Sequence, residues 1–256
     1  MKFLLKYISD FVIDAGDALY FLGSVLGNII RGRIRWGEVL KQIYEQGVQS
    51  IFIIALASFA SGAVLSLQSL VMLSRFGAKE YGAHLVALSL VRELSPVFGS
   101  FIFSGKAGAR MAAELGTMKV NDQIVATRAM GVDPIEFLVV PRMLACFFVL
   151  PGLVVLSEFI GIFGGYFFGT MDANIPGATY IQHTIRAITY VDFFSGFVKT
   201  LFFSLIIGWV CCYQGFKTSG GSLGVGQFTT RAVAYSYVLV VISNTILTKI
   251  ILTFWG

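Results

Sequence analysis

Four ionisable residues sit well inside stretches that are otherwise largely apolar. Arg92 and Glu93 lie in the run 83–104, Glu158 in 138–168 and Lys199 in 193–216. An ionised side chain at the centre of a bilayer costs at least ~2.5 kcal/mol on insertion scales, so such residues face partners or a cavity. Arg92 and Glu93 are adjacent, about 100° apart on a helix, and cannot simply cover each other. Each is expected to reach another helix, through an Arg92–Glu158 or a Glu93–Lys199 pair, acting as inter-helix glue or in gating. Lys249 stands near the end of its own apolar run, close enough to the headgroups to snorkel.

Bond-making chemistry finds less support. The only histidines, His84 and His183, are far apart, and no H-E-x-x-H joins them. The phosphate loop G-x-x-x-x-G-K-[ST] is missing, because Gly105–Lys106 is followed by Ala107. The Gly-rich run Ser219–Gly226 (SGGSLGVG) completes no nucleotide pattern and reads as a flexible turn. Cys146, Cys211 and Cys212 lie in apolar stretches with no C-x-x-C and no nearby histidine, so neither a metal site nor a disulfide framework is expected. The chain is expected to be no enzyme by itself.

A membrane must position these residues. Of 256 residues, 56% are hydrophobic and 13% charged, with a mean hydropathy of +0.80. A soluble domain carries about 25% charged residues, and a chain this short has too little interior to hide so much apolar surface. Five stretches approach or exceed the roughly 20 residues needed to cross: 46–74, 83–104, 138–168, 193–216 and 232–254. Ser58, Gly62 and Ser66 in the first, and Gly161, Gly165 and Gly169 in the third, form stripes of small residues that permit close helix packing.

Before them, Phe3, Leu4, Ile8, Phe11, Val12, Ala15, Leu19, Leu22, Leu26 and Ile29 recur at helical spacing, opposite Lys6, Asp10, Asp14 and Asp17. A helix with that moment lies in the membrane interface. Its acidic residues would interrupt the apolar region of a signal peptide, so the segment is expected to be retained. The fold class expected is an all-α integral membrane protein of five transmembrane helices preceded by an N-terminal interfacial amphipathic helix. One domain covers 1–256, with the interfacial helix and a basic segment in 1–45 and the spans in 46–256.

Lys and Arg set the orientation. With the N-terminus cytoplasmic, inside segments collect Lys2, Lys6, Arg31, Arg33, Arg35, Lys41, Lys106, Arg110, Lys119, Arg128, Arg142, Lys217 and Arg231; outside ones hold Arg75, Lys79 and Arg186. That bias is positive-inside, and five spans then put the C-terminus outside. The net charge of +5 fits loops beside anionic headgroups, and no basic run or stripe suits a nucleic-acid backbone. In the outer connection 172–192, Ile175, Ala178, Ile181, Ile185 and Ile188 at helical spacing imply a short helix on the outer membrane surface. The inner connection 105–141 reads as two helical stretches, broken at Gly116 and stopped by Gly131, Asp133 and Pro134, with a mixed surface that suits a groove on a soluble partner.

Two segments carry a resemblance. RELSPVFGSFIFSGKAGARMAAELGTMKVNDQIVATRAMGVDPIEFLVVPRMLA (92–145) and YQGFKTSGGSLGVGQFTTRAV (213–233) strongly resemble the MlaE family, also called YrbE, the permease subunits of MCE-associated ABC transporters. The likeness runs from the N-terminal helix through the fifth span. It implies a homodimer in a bacterial inner membrane that carries phospholipids or similar lipids. It implies cytoplasmic ATPase subunits that hold ATP and Mg, a periplasmic MCE-domain protein, and in some members a STAS-domain subunit; this chain would bind no cofactor. It also implies that Glu114, Leu115, Gly116, Thr117, Met118 and Lys119, with the neighbouring helix, receive the ATPase stroke. Lipid would sit at the dimer interface around Leu67, Leu70 and Val71.

The chain departs from the family pattern at Lys106, where arginine is common, and at Arg110, where a small residue is common. Ser95 stands where glycine is common, and Asn244 where an acidic residue often stands. The last change puts a full intramembrane charge network in doubt. Two other classes compete with a coupled permease. An ion-coupled secondary transporter would relay through Arg92, Glu93, Glu158 and Lys199, and a structural anchor would need no inner docking surface. Many secondary transporters show internal repeats, and none is evident here.

Overall fold

The computed structural model describes residues 2–32, 34–173 and 175–255, with side chains from Val12 on except those of Glu80, Ala173 and Trp255. Among these residues there is helix and no strand. The helices are α1 (Lys2–Ile30), α2 (Trp36–Ile43), α3 (Gln49–Ser74), α4 (Gly82–Ser89), α5 (Ser95–Phe103), α6 (Ala109–Val120), α7 (Gln123–Ala129), α8 (Val140–Ala173), α9 (Gly177–Ala187), α10 (Tyr190–Lys217) and α11 (Gly221–Trp255). Wide π-turns at Tyr44–Val48, Leu90–Leu94 and Ser104–Gly108 join α2 to α3 and α4 to α5 to α6, and a further one, Ile135–Val139, leads into α8.

α3 and α8 form the central pair. A Cβ on Gly62 would lie 1.8 Å from the Gly161 carbonyl oxygen, so the backbones touch and only glycine fits. The Ser58 and Ser157 hydroxyls share a hydrogen bond of 2.7 Å one turn away. Gly164, which lies off the expected stripe, is equally committed, since a Cβ there would come within 2.3 Å of the Phe59 carbonyl oxygen. Further out, Gly165 and Gly169 leave a slot for the ring of Tyr180 on α9. A helix is therefore present in the connection 172–192, as expected. It buries Tyr180, Thr184 and Ala187 and exposes Ile181 and Ile185.

α10 packs on the other side of α8 and against α6 and α11. Together they enclose a core that includes Phe103, Met111, Leu150, Phe203 and Ile207.

Among the described residues six helices are long and apolar enough to cross a membrane: Val12–Ile30, Trp36–Ser74, Gly82–Val120, Ile135–Asp172, Tyr190–Lys217 and Gly221–Phe254. Composition therefore does not fix the count at five. Val12–Ile30 is the shortest and least apolar of them. It makes contacts near one end of the bundle: Asp14 with Lys217, Ala18 O with Trp209 Nε1 at 2.9 Å, and Asn28 Nδ2 with Asp133 at 2.8 Å. Phe21 packs on Tyr213 and Phe216 between them. Phe3, Leu4, Lys6, Ile8, Asp10 and Phe11 of the amphipathic pattern lie outside the described side chains.

Two expectations about connections are corrected. Gly116 does not break the inner segment, because α6 runs through it to Val120 and the break comes at Asn121–Asp122, where Asp122 is left-handed (φ 55°). A mid-helix glycine costs only about 1 kcal/mol. Here it admits Thr218, whose Oγ1 would lie 2.8 Å from a Cβ at that position. Nor is SGGSLGVG a turn throughout. α11 begins at Gly221, and a Cβ on Gly224 would lie 1.8 Å from the Ser219 carbonyl oxygen.

The helix pair yields a contrast. Gly62→Ala should lower stability by about 1–3 kcal/mol through overpacking. Gly152→Ala on the open side of α8, with nothing within 4 Å, should be neutral or slightly stabilising. Thermal unfolding of the purified variants, followed by fluorescence-detected gel filtration, checks both.

Candidate functional site

Three constellations draw on the charged and apolar residues singled out above. The first is a charge cluster between the second span and α10. Lys199, 2% exposed, donates to Glu93 Oε1 at 2.7 Å and to the Arg92 carbonyl oxygen at 3.0 Å. That carbonyl needs an outside donor because Pro96, four residues on, has no N–H to offer it. Glu93 also accepts from Asn244 Nδ2 at 2.9 Å and Thr248 Oγ1 at 3.1 Å. Asn244 therefore supplies a neutral donor to the Glu93 carboxylate.

The expected Glu93–Lys199 pair is thus formed, and an Arg92–Glu158 pair is not. Arg92 Nε donates to Asp192 instead. Asp192 closes a capping box at the start of α10, accepting from Thr189 N at 3.0 Å and Thr189 Oγ1 at 2.6 Å. Its T-x-x-D spacing was a legible signal that a carboxylate stands in the first turn of that helix. Glu158 is buried near Gly196 of α10 and makes no hydrogen bond or ion pair among the described residues. Gly196 allows this crossing, since a Cβ there would sit 2.4 Å from the Val91 carbonyl oxygen. The π-turn at Leu90–Leu94 carries both charged neighbours, as such turns often do at functional positions.

The second constellation is the open face of α3. Leu67, Gln68, Val71 and Met72 line a groove of about 400 Å³ toward the Arg75 end. Gln68 connects it to a second groove of about 330 Å³, walled by Ala60, Val64, Leu94 and Phe98. Leu67 and Val71 therefore face open space together. Leu70 does not join them; it points inward to Ala83, Ile175 and Tyr180.

The third lies at the opposite end. Arg110 donates to Glu114 at 2.7 Å, Gln49 at 2.8 Å and Glu45 at 3.1 Å, tying α6 to α3 and the turn before it. The second oxygen of Glu114 accepts from Arg142 of α8 at 3.2 Å. Of the expected coupling segment, Leu115 and Gly116 are buried, Glu114, Met118 and Lys119 half-buried and Thr117 exposed. The exposed apolar surface lies beyond it, on Val125, Met130 and Val132.

Gly220–Gly224 spells G-x-S-x-G, the lettering of a hydrolase nucleophile elbow. No strand leads into it, Ser222 is exposed at the start of α11, and both histidines belong to α4 and α9. It does not build a catalytic triad.

A family model described as permease MlaE matches residues 39–250. A probable ABC transporter permease protein of Rickettsia typhi is 37% identical over 246 residues, covering 96% of this chain and 95% of its own. The intermembrane phospholipid transport system permease protein MlaE of Haemophilus influenzae is 34% identical, covering 96% and 94%. The chloroplastic protein Trigalactosyldiacylglycerol 1 of Arabidopsis thaliana is 33% identical, covering 89% of this chain and 65% of its own.

Removing one partner of a buried charge pair leaves the other uncompensated, at a cost of about 3–5 kcal/mol when both are enclosed. Because the Glu93 side chain is 40% exposed, Lys199→Met should cost nearer about 2 kcal/mol. Adding Glu93→Gln should restore part of that loss, and a double-mutant thermal-stability cycle measures the coupling.

Proposed function

The chain belongs to the MlaE permease family, and from that premise we propose that it is the membrane-spanning subunit of an ABC lipid transporter. Its cargo would be phospholipids or similar lipids, passed between the inner membrane and a periplasmic MCE-domain protein. The observation that carries this reading is the open face of α3. Its aliphatic side chains suit acyl chains, and Gln68 and Arg75 provide polar contacts along it. A second copy facing the same surface would enclose the lipid between two α3 helices, which makes the working unit a homodimer.

In this reading five helices cross and α1 lies in the cytoplasmic interface. Fourteen residues, about 21 Å of helix, separate Asp14 from Asn28. Yet one touches Lys217 at the end of α10 and the other Asp133 beside α7. A helix crossing the bilayer would carry those two contacts to different depths. The N-terminus is then cytoplasmic and the C-terminus periplasmic.

ATP, held with Mg on separate ATPase subunits, drives the cycle, and a STAS-domain subunit accompanies them where the assembly has one. The stroke enters at the exposed surface of Val125, Met130 and Val132. It reaches Thr117–Lys119 on α6, then α3 through Arg110. A rival reading, ion-coupled secondary transport, draws on the buried and unpartnered Glu158.

Affinity purification of the tagged chain in mild detergent, followed by mass spectrometry of proteins and lipids, separates the two. ATPase and MCE-domain subunits should co-purify with phospholipid, and a Val125→Asp/Met130→Asp variant should lose the ATPase while keeping the MCE partner. A clean dimer with neither partner would favour the ion-coupled reading.

A further inference from the structure

A cleft of about 320 Å³ separates α2 from the inner ends of α6 and α8, and its polar lining leaves three groups unused. Arg110 binds Glu45, Gln49 and Glu114 through its three nitrogens, and Glu114 is shared between Arg110 and Arg142. Lys41 and Glu38 line the same cleft and form no ion pair among the described residues. Arg142 is 6% exposed, and its Nε has no partner although Nη1 binds the Leu138 carbonyl oxygen and Nη2 binds Glu114. Nε itself is enclosed, so what Arg142 offers the cleft is its guanidinium charge, with 7% of the side chain exposed. One free cation beside the Arg142 guanidinium, and one free carboxylate, together complement an anion linked to a cation by a short tether.

The cleft's depth in the membrane narrows the choice. α2 buries Val39 and Gln42 and exposes Trp36 and Leu40, and Tyr44 at the start of the following π-turn is exposed too. Exposed Trp and Tyr on a short amphipathic helix mark headgroup level. Phe137 and Leu138 give the cleft an apolar wall, and Arg35 stacks over the Phe137 ring at 4.5 Å. A free anion would answer Lys41 and Arg142 but would be repelled by Glu38 and Glu45.

We propose that this cleft binds the headgroup of one zwitterionic phospholipid, its phosphate toward Lys41 and Arg142 and its ammonium toward Glu38. The site is separate from the α3 face. It rests on the chain's being the membrane protein of the reading above, with α2 at headgroup level, and not on the ATPase or MCE partners.

The test uses the purified full chain with whatever subunits accompany it. Native mass spectrometry and thermal shift are read with dioctanoyl phosphatidylethanolamine, dioctanoyl phosphatidylglycerol, glycerophosphoethanolamine and inorganic phosphate. Wild type should hold one phosphatidylethanolamine per chain at this site. Lys41→Glu and Glu38→Lys, both at exposed positions, should weaken it roughly tenfold, as should the phosphatidylglycerol headgroup. Unchanged affinity in both variants overturns the proposal. So does equal protection by inorganic phosphate or glycerophosphoethanolamine, which would make the site one for a free anion or a soluble headgroup. Should no lipid co-purify while added phosphatidylethanolamine still protects in a Lys41-dependent way, the transport reading fails and this site stands.

Discussion

Gly62 rests against the carbonyl oxygen of Gly161, and this backbone contact sets the distance between α3 and α8 on which the remaining helices are hung. In a bilayer, apolar surface gains little by leaving lipid, so close van der Waals packing of small residues has to do the joining. With one face of α3 spent on α8, its opposite face, through Leu67 and Val71, is left free. The slot at Gly165 and Gly169 takes Tyr180 and so fixes α9 against one end of the pair. The opposite ends are pinned by the Arg110–Glu114–Arg142 chain, which joins α6 to α8 and, through Gln49, to α3.

The charges follow from the same constraint. None of Arg92, Glu93 and Lys199 is satisfied within its own helix; each is answered from a neighbour, and Pro96 frees a carbonyl for Lys199. Pairs with one partner buried, as here, add little net stability over apolar packing, but breaking one strands the buried charge. They therefore specify which helix faces which. The arrangement holds α10 against the second span at the level where the α3 groove opens.

Much of this was legible in the sequence. Long uncharged runs announced the spans, and the Ser58–Gly62–Ser66 and Gly161–Gly165–Gly169 stripes announced which faces meet. Opposite charge offered Arg92–Glu158 and Glu93–Lys199, and only the second is formed. Asp192 was missed because a residue at the edge of an apolar run reads as a loop residue, and only its spacing from Thr189 says otherwise. Glycine misled twice. Gly116 and Gly224 read as breaks, whereas lack of a Cβ serves close approach inside a helix at both. Leu67, Leu70 and Val71 read as one apolar patch, and only the third dimension shows Leu70 turned to the core. Nor does composition distinguish an interfacial α1 from a crossing one, since its hydropathy admits both and its contacts are needed to place it.

The central claim is that α3 presents one face to lipid and to a second copy while the other is sealed. A photoreactive benzoyl-phenylalanine at Leu67, Val71 or Leu70, irradiated in native membranes, tests it most directly. Adducts to phospholipid and to a second chain are expected from Leu67 and Val71, with neither from Leu70. Equal yields at all three positions, or none at Leu67 and Val71, would contradict the account.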